Sequence, residues 1–377
     1  MNRVIIVGGG ISGISTAYFL TEKGFNNVVV VEEKYLASGS TGGCASGIRA
    51  SFTSREHVIL MRESIELWGK LSQKLGFFYE RGGYLWLISS EESLKYFKEL
   101  SRFHNSLGVP TRLIDVEEVE KIIPIKVNGL IGALHDPIAG KANPFKSVEK
   151  MAEKASSRGA TIHTWTRASK IVTKGSKVIG VETDKGFIEG DKVLIAAGSE
   201  TRKLLLDLGI NIPLKNIPHH ALITETFKPT LKPLVIDWDN PSKPYLVQVE
   251  EGGFLMGMEL DEEPATPLTP RIDFLPRMIK SWSSWFPWLR NINVLRYWVR
   301  YYVISPDHHP ILGPVEDYEG LYVAAGFSGH GFMMGPITGK LLAEWILDGK
   351  PSVPEAENLT FKRIVEGRLI EEKAVIG

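Results

Sequence analysis

Cysteine is almost missing from this chain. Cys44 is the only one in 377 residues. No intrachain disulfide and no cysteine-based zinc site can form. Glutamine is nearly as scarce, with Gln73 and Gln248 alone. A shortage of labile residues fits a heat-adapted source. Net charge is missing too, because 44 Lys and Arg balance 44 Asp and Glu. That balance argues against a nucleic-acid partner, and no polybasic block addresses an anionic membrane. No apolar run reaches the roughly 18 residues of a membrane-spanning helix. An apolar strand expected from Arg3 leaves no room for a signal peptide, so a cytoplasmic location is the expectation. Repeats and low-complexity tracts are absent as well. What remains is 43% hydrophobic and 23% charged, enough for a large core and about two domains.

The amino-terminal 33 residues carry the strongest signal. Arg3 to Val7 (RVIIV) is a short apolar run, followed at once by Gly8, Gly9, Gly10, Ile11, Ser12 and Gly13. A helical-looking stretch comes next, and Val28 to Val31 then reads as a second strand ending in Glu32 and Glu33. Strand, G-x-G-x-x-G turn, helix, strand and acid, in that order, form the dinucleotide-binding fingerprint in its required context. Gly8 allows the tight turn, Gly10 lets backbone approach a pyrophosphate, and Gly13 lets helix and strand pack closely. The helix N-terminus at Ile11 and Ser12 offers free N–H groups to phosphate. Glu32, with Glu33 beside it, is placed to accept hydrogen bonds from the ribose hydroxyls of an adenosine.

The rest of the chain alternates in texture. A small-residue stretch spans 37–51. Apolar spacing predicts helices over 56–75, 91–107, 115–121 and 144–158, and strands over 82–88, 161–165, 170–173, 177–183 and 192–196. Residues 211–302 are rich in aromatics and prolines. Alternation at 221–226, 245–249 and 253–258 predicts antiparallel strands with one buried face. The end returns to the first texture, with a strand over 321–325, the loop GFSGHGFMMG and a helix over 336–347. Pro336 suits the first position of that helix. Gly329, Gly331 and Gly335 let backbone come close to a flat ring. One domain is therefore expected from 1–80, 141–212 and 303–377, and a second, inserted one from 81–140 and 213–302.

Four motifs in this order resemble the D-amino acid oxidase-like FAD-dependent oxidoreductases. They are VGGGISG, VVEEKYLASGSTGGCASGIR, VLIAAG, and the pair SPDHHPILG and AAGFSGHGFMMGP. The likeness is to the branch with sarcosine and glycine oxidases, and to the β subunits of archaeal dye-linked L-proline dehydrogenases. It implies an α/β fold: a Rossmann-like FAD-binding domain with an inserted, mostly antiparallel β substrate domain (α+β). It implies FAD, held non-covalently, with Gly8, Gly10, Gly13 and Glu32 on the AMP half. Ser38, Ser40 and Thr41 match the turn beside the ribityl chain and pyrophosphate, with Cys44 and Gly47 following in the same segment. Ala168 matches the backbone that meets adenine, and Ala197 and Gly198 close over the cofactor. Gly326, Phe327, Ser328, Gly329, His330, Gly331 and Phe332 match the loop against the flavin ring. The helix after that loop would point partial positive charge at reduced flavin. The tethering cysteine of monomeric sarcosine oxidases has no counterpart near Arg300. Cys44 lies at the wrong end and reads as a small buried residue.

The resemblance also implies the substrate side. Arg49 matches an arginine that grips a substrate carboxylate, a task suited to a guanidinium fork. Amino acid oxidases often carry a second arginine where this chain has Tyr302, which keeps one hydrogen bond to offer. Sarcosine oxidases carry a lysine over the flavin that helps reduce O2. Leu255 or Met256 stands there, and Met333 replaces the lysine after HGF. Losing a cation that stabilises developing superoxide disfavours oxidase chemistry. His330 and His219 are further candidates for the reaction, and Tyr245 and Gly329 for the substrate cavity. Tyr245 reads more commonly as a packed core aromatic, and His308 and His309 read as structural.

The expected reaction is dehydrogenation of the C–N bond of a small secondary amino acid, with L-proline the first guess. Electrons would pass to an acceptor other than O2, of dye or quinone type. The alternatives are an oxidase of sarcosine, glycine or D-amino acid type, and a flavin-carrying electron-transfer or scaffold subunit. No metal is expected. A second subunit and an oligomer are. Their interface would be sought at Trp282, Trp285 and Trp288, three apart; a stripe packed inside the substrate domain is the other reading.

Overall fold

The structure, a computed structural model, describes residues 3–127 and 129–374. Val4–Val7 and Val28–Val31 are entirely β-branched, and every one of their side chains is buried. Strands buried on both faces belong to a parallel sheet covered on both sides. They are central in a six-stranded sheet. Its order is Ile311–Pro314, Leu321–Ala325, Lys192–Ile195, Val4–Val7, Val28–Val31 and Thr161–His163. All neighbours run parallel except Ile311–Pro314, which is antiparallel to Leu321–Ala325. Helices Ile11–Glu22, Pro144–Ser157 and Gly331–Asp348 supply apolar side chains to one face, including Ile14, Val148 and Leu341. A three-stranded antiparallel sheet, Ala168–Lys174, Lys177–Thr183 and Gly186–Glu189, helps cover the other through Ile171 and Val181.

The second sheet has eight strands. Its order is Val294–Ile304, Lys215–Thr226, Gly253–Met258, Tyr245–Gln248, Leu234–Asp237, Tyr84–Ile88, Gly132–Asp136 and Arg112–Ile114. Only Leu234–Asp237 and Tyr84–Ile88 pair in parallel. Leu85, Val235 and Phe254 face one core, and Trp86, Ile236 and Leu255 face another. This is the Rossmann-like α/β domain with a mostly antiparallel α+β companion that the motif order implies.

Most elements fall where apolar spacing puts them. Arg55–Leu75 is capped by Ser54, whose hydroxyl accepts from His57 N, and ends at Gly76 with φ 76°. Several expectations are overturned, among them the single buried face expected at 245–249 and 253–258, since Tyr245–Gln248 and Gly253–Met258 are buried throughout, between two cores. The helix expected from Pro336 begins at Gly331 and runs to Asp348, with Pro336 inside it. Positive φ at Ser328 and Gly329 completes the turn, so helical backbone starts at once. Pro336 lacks the N–H that would reach the Phe332 carbonyl, and its ring crowds that carbonyl.

The tryptophan stripe is not a surface. Trp282 is fully buried at the end of Phe274–Ser283. Trp285 donates its indole N–H to Asp237 Oδ2 at 2.9 Å in the interior. Trp288 stacks on Phe227, ring centroids 5.7 Å apart. Three large rings gain more from burial against the sheet than from exposure. His219 also differs from expectation in lying within a strand, because Lys215–Thr226 begins well before position 221.

Candidate active site

A cavity of about 590 Å³ opens at the carboxyl ends of the parallel strands, where open α/β sheets place their ligands. Gly8, Gly10, Ile11, Ser12, Glu32 and Glu33 line one end, beside Ala168 and its neighbours Arg167 and Ser169. Ser38, Ser40, Thr41 and Cys44 line the middle, with Ala197 and Gly198 across from the loop Gly326 to Gly329. Gly331 and Phe332 also line it, with Tyr302. Gly13 does not reach the cavity. Its work is packing, since a Cβ there would lie 2.1 Å from the Gly8 carbonyl oxygen.

The turn is organised by side chains that come from further along the chain. Glu32 accepts from Gly9 N at 2.8 Å and from Lys34 N and Ser38 Oγ at 2.9 and 3.1 Å. The acid therefore holds the glycine turn and the serine turn together, besides facing the cavity. Thr41 Oγ1 accepts from Ile11 N at 3.1 Å. Gly10 has no side chain to cap the helix, and Thr41 takes only the first N–H, so the N–H groups of Ser12 and Gly13 behind it leave the positive end open to an anion. Ser40 is already engaged, donating to the Tyr301 carbonyl at 2.7 Å.

A second cavity of about 50 Å³ adjoins the first, sharing Cys44, Tyr302, Gly329 and Phe332 with it. Arg49, Tyr84, Tyr245 and Met333 line it. Gly47 and His330 line this small cavity and not the large one. Gly329 stands at the junction with φ 89°, and a Cβ there would meet the Tyr302 ring at 2.5 Å. Only glycine fits that conformation and that spacing.

The groups around the small cavity are held in defined protonation states by burial. Arg49 is 2% exposed, and its guanidinium lies 3.7 Å over the Phe52 ring. Burial lowers its pKa to about 10, which leaves it charged at neutral pH. Nη1 donates to the Ser51 carbonyl and Nη2 to that of Ala374, each at 2.5 Å. Burial raises the phenols of Tyr84, Tyr245 and Tyr302, which stay neutral. His219 does not line the cavity. It stacks on Tyr302 and shares a 3.2 Å hydrogen bond between Nε2 and the Tyr245 hydroxyl. Burial pushes its pKa down to about 3, so it is neutral. His330 precedes the first turn of Gly331–Asp348 edge-on to Phe52, and burial lowers it too. Neither of its ring nitrogens has a hydrogen-bond partner among the described residues. Cys44 is half-buried, and burial pushes its thiol up to about 12, so no thiolate forms near neutral pH. Arg300 lines a separate cavity of about 320 Å³, away from Arg49.

Sequence reasoning missed a buried cluster behind Arg49. His57, His309 and Glu372 place ligand atoms within 4.8 Å of one another. The Glu372 oxygens already accept from Thr53, Ser54 and Ala374. His309 Nδ1 faces the Asp307 carbonyl at 2.9 Å and Nε2 the Ser54 hydroxyl at 2.8 Å. Tyr84 was missed as well. Positions separated by hundreds of residues leave no local signal.

A family model described as "FAD dependent oxidoreductase" (DAO) matches residues 3–345. The chain belongs to the DAO family of FAD-dependent oxidoreductases. FAD suits the residues present: a glycine-turn helix N-terminus facing the cavity for pyrophosphate, Glu32 for ribose, and a glycine loop where a flat ring can approach. Among curated DAO-type relatives, the Rhodobacter capsulatus sarcosine oxidase subunit beta is 27% identical over 99% of this chain and 91% of its own. The Paenarthrobacter nicotinovorans 4-methylaminobutanoate oxidase (formaldehyde-forming) is 29% identical over 93% of this chain but 44% of its own. Among solved structures, L-proline dehydrogenase from P. horikoshii superposes with TM-score 0.94 at 35% identity, covering 98% of this chain and 99% of that one. A Bacillus cereus glycine oxidase, 24% identical with TM-score 0.84 over 93% of this chain and 96% of its own, shares the fold.

Proposed function

We propose that this chain dehydrogenates the C–N bond of a small secondary amino acid, with L-proline the first substrate to test. One observation carries the reading. A buried, charged arginine lines a small cavity that opens onto the dinucleotide cavity across Gly329. The likeness to a proline dehydrogenase supports the choice of substrate.

FAD, when bound, accepts the hydride. The chain's own residues do the rest. Arg49 takes the substrate carboxylate through N–H groups not spent on Ser51 and Ala374. Tyr302, a neutral donor backed by the His219 ring, offers one more hydrogen bond and fixes distance and angle. The amine binds in its neutral form, and its lone pair forms the C=N bond as the C–H leaves. No dedicated base is needed. His219 and His330 stay neutral and keep positive charge away from that amine.

Electrons then pass to an acceptor other than O2, and a partner subunit carries them onward. By the family resemblance, Leu255 or Met256, and Met333, stand where sarcosine oxidases carry a lysine, and the missing cation favours this reading. The match to a sarcosine oxidase subunit beta supports work within a complex. It also favours a second reading, an O2-using oxidase of sarcosine type.

An anaerobic screen of amino acids, watching flavin absorbance bleach, tests the substrate. L-Proline is expected to bleach it, and indifference to every amino acid overturns the proposal. Oxygen uptake matching turnover would establish the second reading. Arg49→Ala should cost about 2–4 kcal/mol in kcat/KM while FAD stays bound.

A further inference from the structure

Residues 370–374 fold back as a strap behind Arg49. Ile370 N donates to Asp307 Oδ2 and Glu372 N to the Asp307 carbonyl, both at 3.2 Å. Lys373 N donates to Thr53 Oγ1 at 2.9 Å. The Glu372 carboxylate is the anchor, and it is 1% exposed. It accepts from Thr53 N and Oγ1 at 2.9 and 2.6 Å, and from Ser54 N and Oγ at 3.0 and 2.9 Å. Ser54 caps the Arg55–Leu75 helix, so the carboxylate sits at that helix's positive end. The same carboxylate accepts from Ala374 N at 2.9 Å, which closes the turn carrying the Ala374 carbonyl.

That carbonyl is where the strap meets the site. It accepts from Arg49 Nη2 at 2.5 Å, while the Ser51 carbonyl takes Nη1 at the same distance. With Phe52 beneath the plane, both ends of the fork are fixed in position and tilt. A fork fixed in advance loses little entropy on meeting a carboxylate. We propose that Glu372 is a positioning residue for substrate binding: by locking the strap, it aims the Arg49 guanidinium through the Ala374 carbonyl. The proposal rests on the reading of Arg49 as the carboxylate clamp.

The test compares Glu372→Ala, a chain ending at Lys373, Arg49→Ala and the Glu372→Ala/Arg49→Ala double variant. The chain ending at Lys373 keeps the anchor and deletes the carbonyl. KM and kcat are measured with L-proline, and FAD content and circular dichroism establish folding. KM should rise roughly tenfold in Glu372→Ala and in the shortened chain. kcat should move much less and FAD stay bound. The double variant should match Arg49→Ala, because Glu372 acts only through that residue. An unchanged KM in either folded variant overturns the proposal, as do penalties that multiply in the double variant. Should Glu372→Ala not fold, the shortened chain decides. A normal KM in Arg49→Ala instead overturns the clamp itself, and the positioning role falls with it.

Discussion

The imidazole of His219 lies against the phenol of Tyr302, ring centroids 4.3 Å apart and planes 25° from parallel. The histidine comes from one strand of the eight-stranded sheet and the tyrosine from its edge neighbour. Stacking at this distance suits a neutral ring, and burial keeps His219 neutral. The pair makes a dry wall behind the small cavity, and its protonation links to stability.

Stability should fall as the solution is acidified. The folded values of His219 and His104 are pushed down by burial to about 3 and about 4, below the ordinary 6.5. The unfolded chain therefore binds more protons than the folded one below about pH 6.5. The contribution of these groups is full above that pH and is lost as pH drops toward 4. For His104 alone the loss is on the order of 3 kcal/mol. Tm measured from pH 8 to pH 4 should be level at first and then decline. A level Tm down to pH 4.5 would contradict the assignment.

Gly329→Ala should damage the site more than the core. A Cβ would press on the Tyr302 ring at 2.5 Å, in a backbone conformation with φ 89°. Strain of this kind costs roughly 1–3 kcal/mol. It falls where the two cavities meet, so substrate-driven flavin reduction should slow well beyond any change in Tm. A variant with normal turnover would show that Tyr302 can give way.

Glu32→Ala should weaken FAD binding by about 1–3 kcal/mol, the cost of an unmade buried hydrogen bond. The effect has two sources, since Glu32 also holds Gly9 N and Ser38 Oγ. Titration of the apoprotein by flavin fluorescence measures it. Unaltered affinity would remove Glu32 from the cofactor site.

FAD should leave the protein on acid precipitation and colour the supernatant yellow. Cys44, the only thiol, has its pKa raised to about 12 and offers no thiolate for attachment. A yellow pellet would point to a covalent link through another side chain.

Much of this molecule is legible in order along the chain. The glycine turn, its flanking strands and Glu32 lie within the first 32 residues, and their geometry follows from neighbours in sequence. Helix Arg55–Leu75 is likewise announced by Ser54 and Gly76. Apolar period and turn chemistry act over a few residues, so sequence alone determines such elements, together with the class of cofactor. The tertiary structure decided the rest. Trp282 and Trp285 have the spacing of a surface stripe, yet the eight-stranded sheet buries them. Pro336 reads as a helix start, yet the turn at Ser328 and Gly329 starts the helix sooner. Arg49 could be marked as a carboxylate clamp, but what aims it could not. Its partner carbonyl lies 325 residues away, and a backbone carbonyl is the same group in every residue. No pattern in the side chains can report which one will arrive.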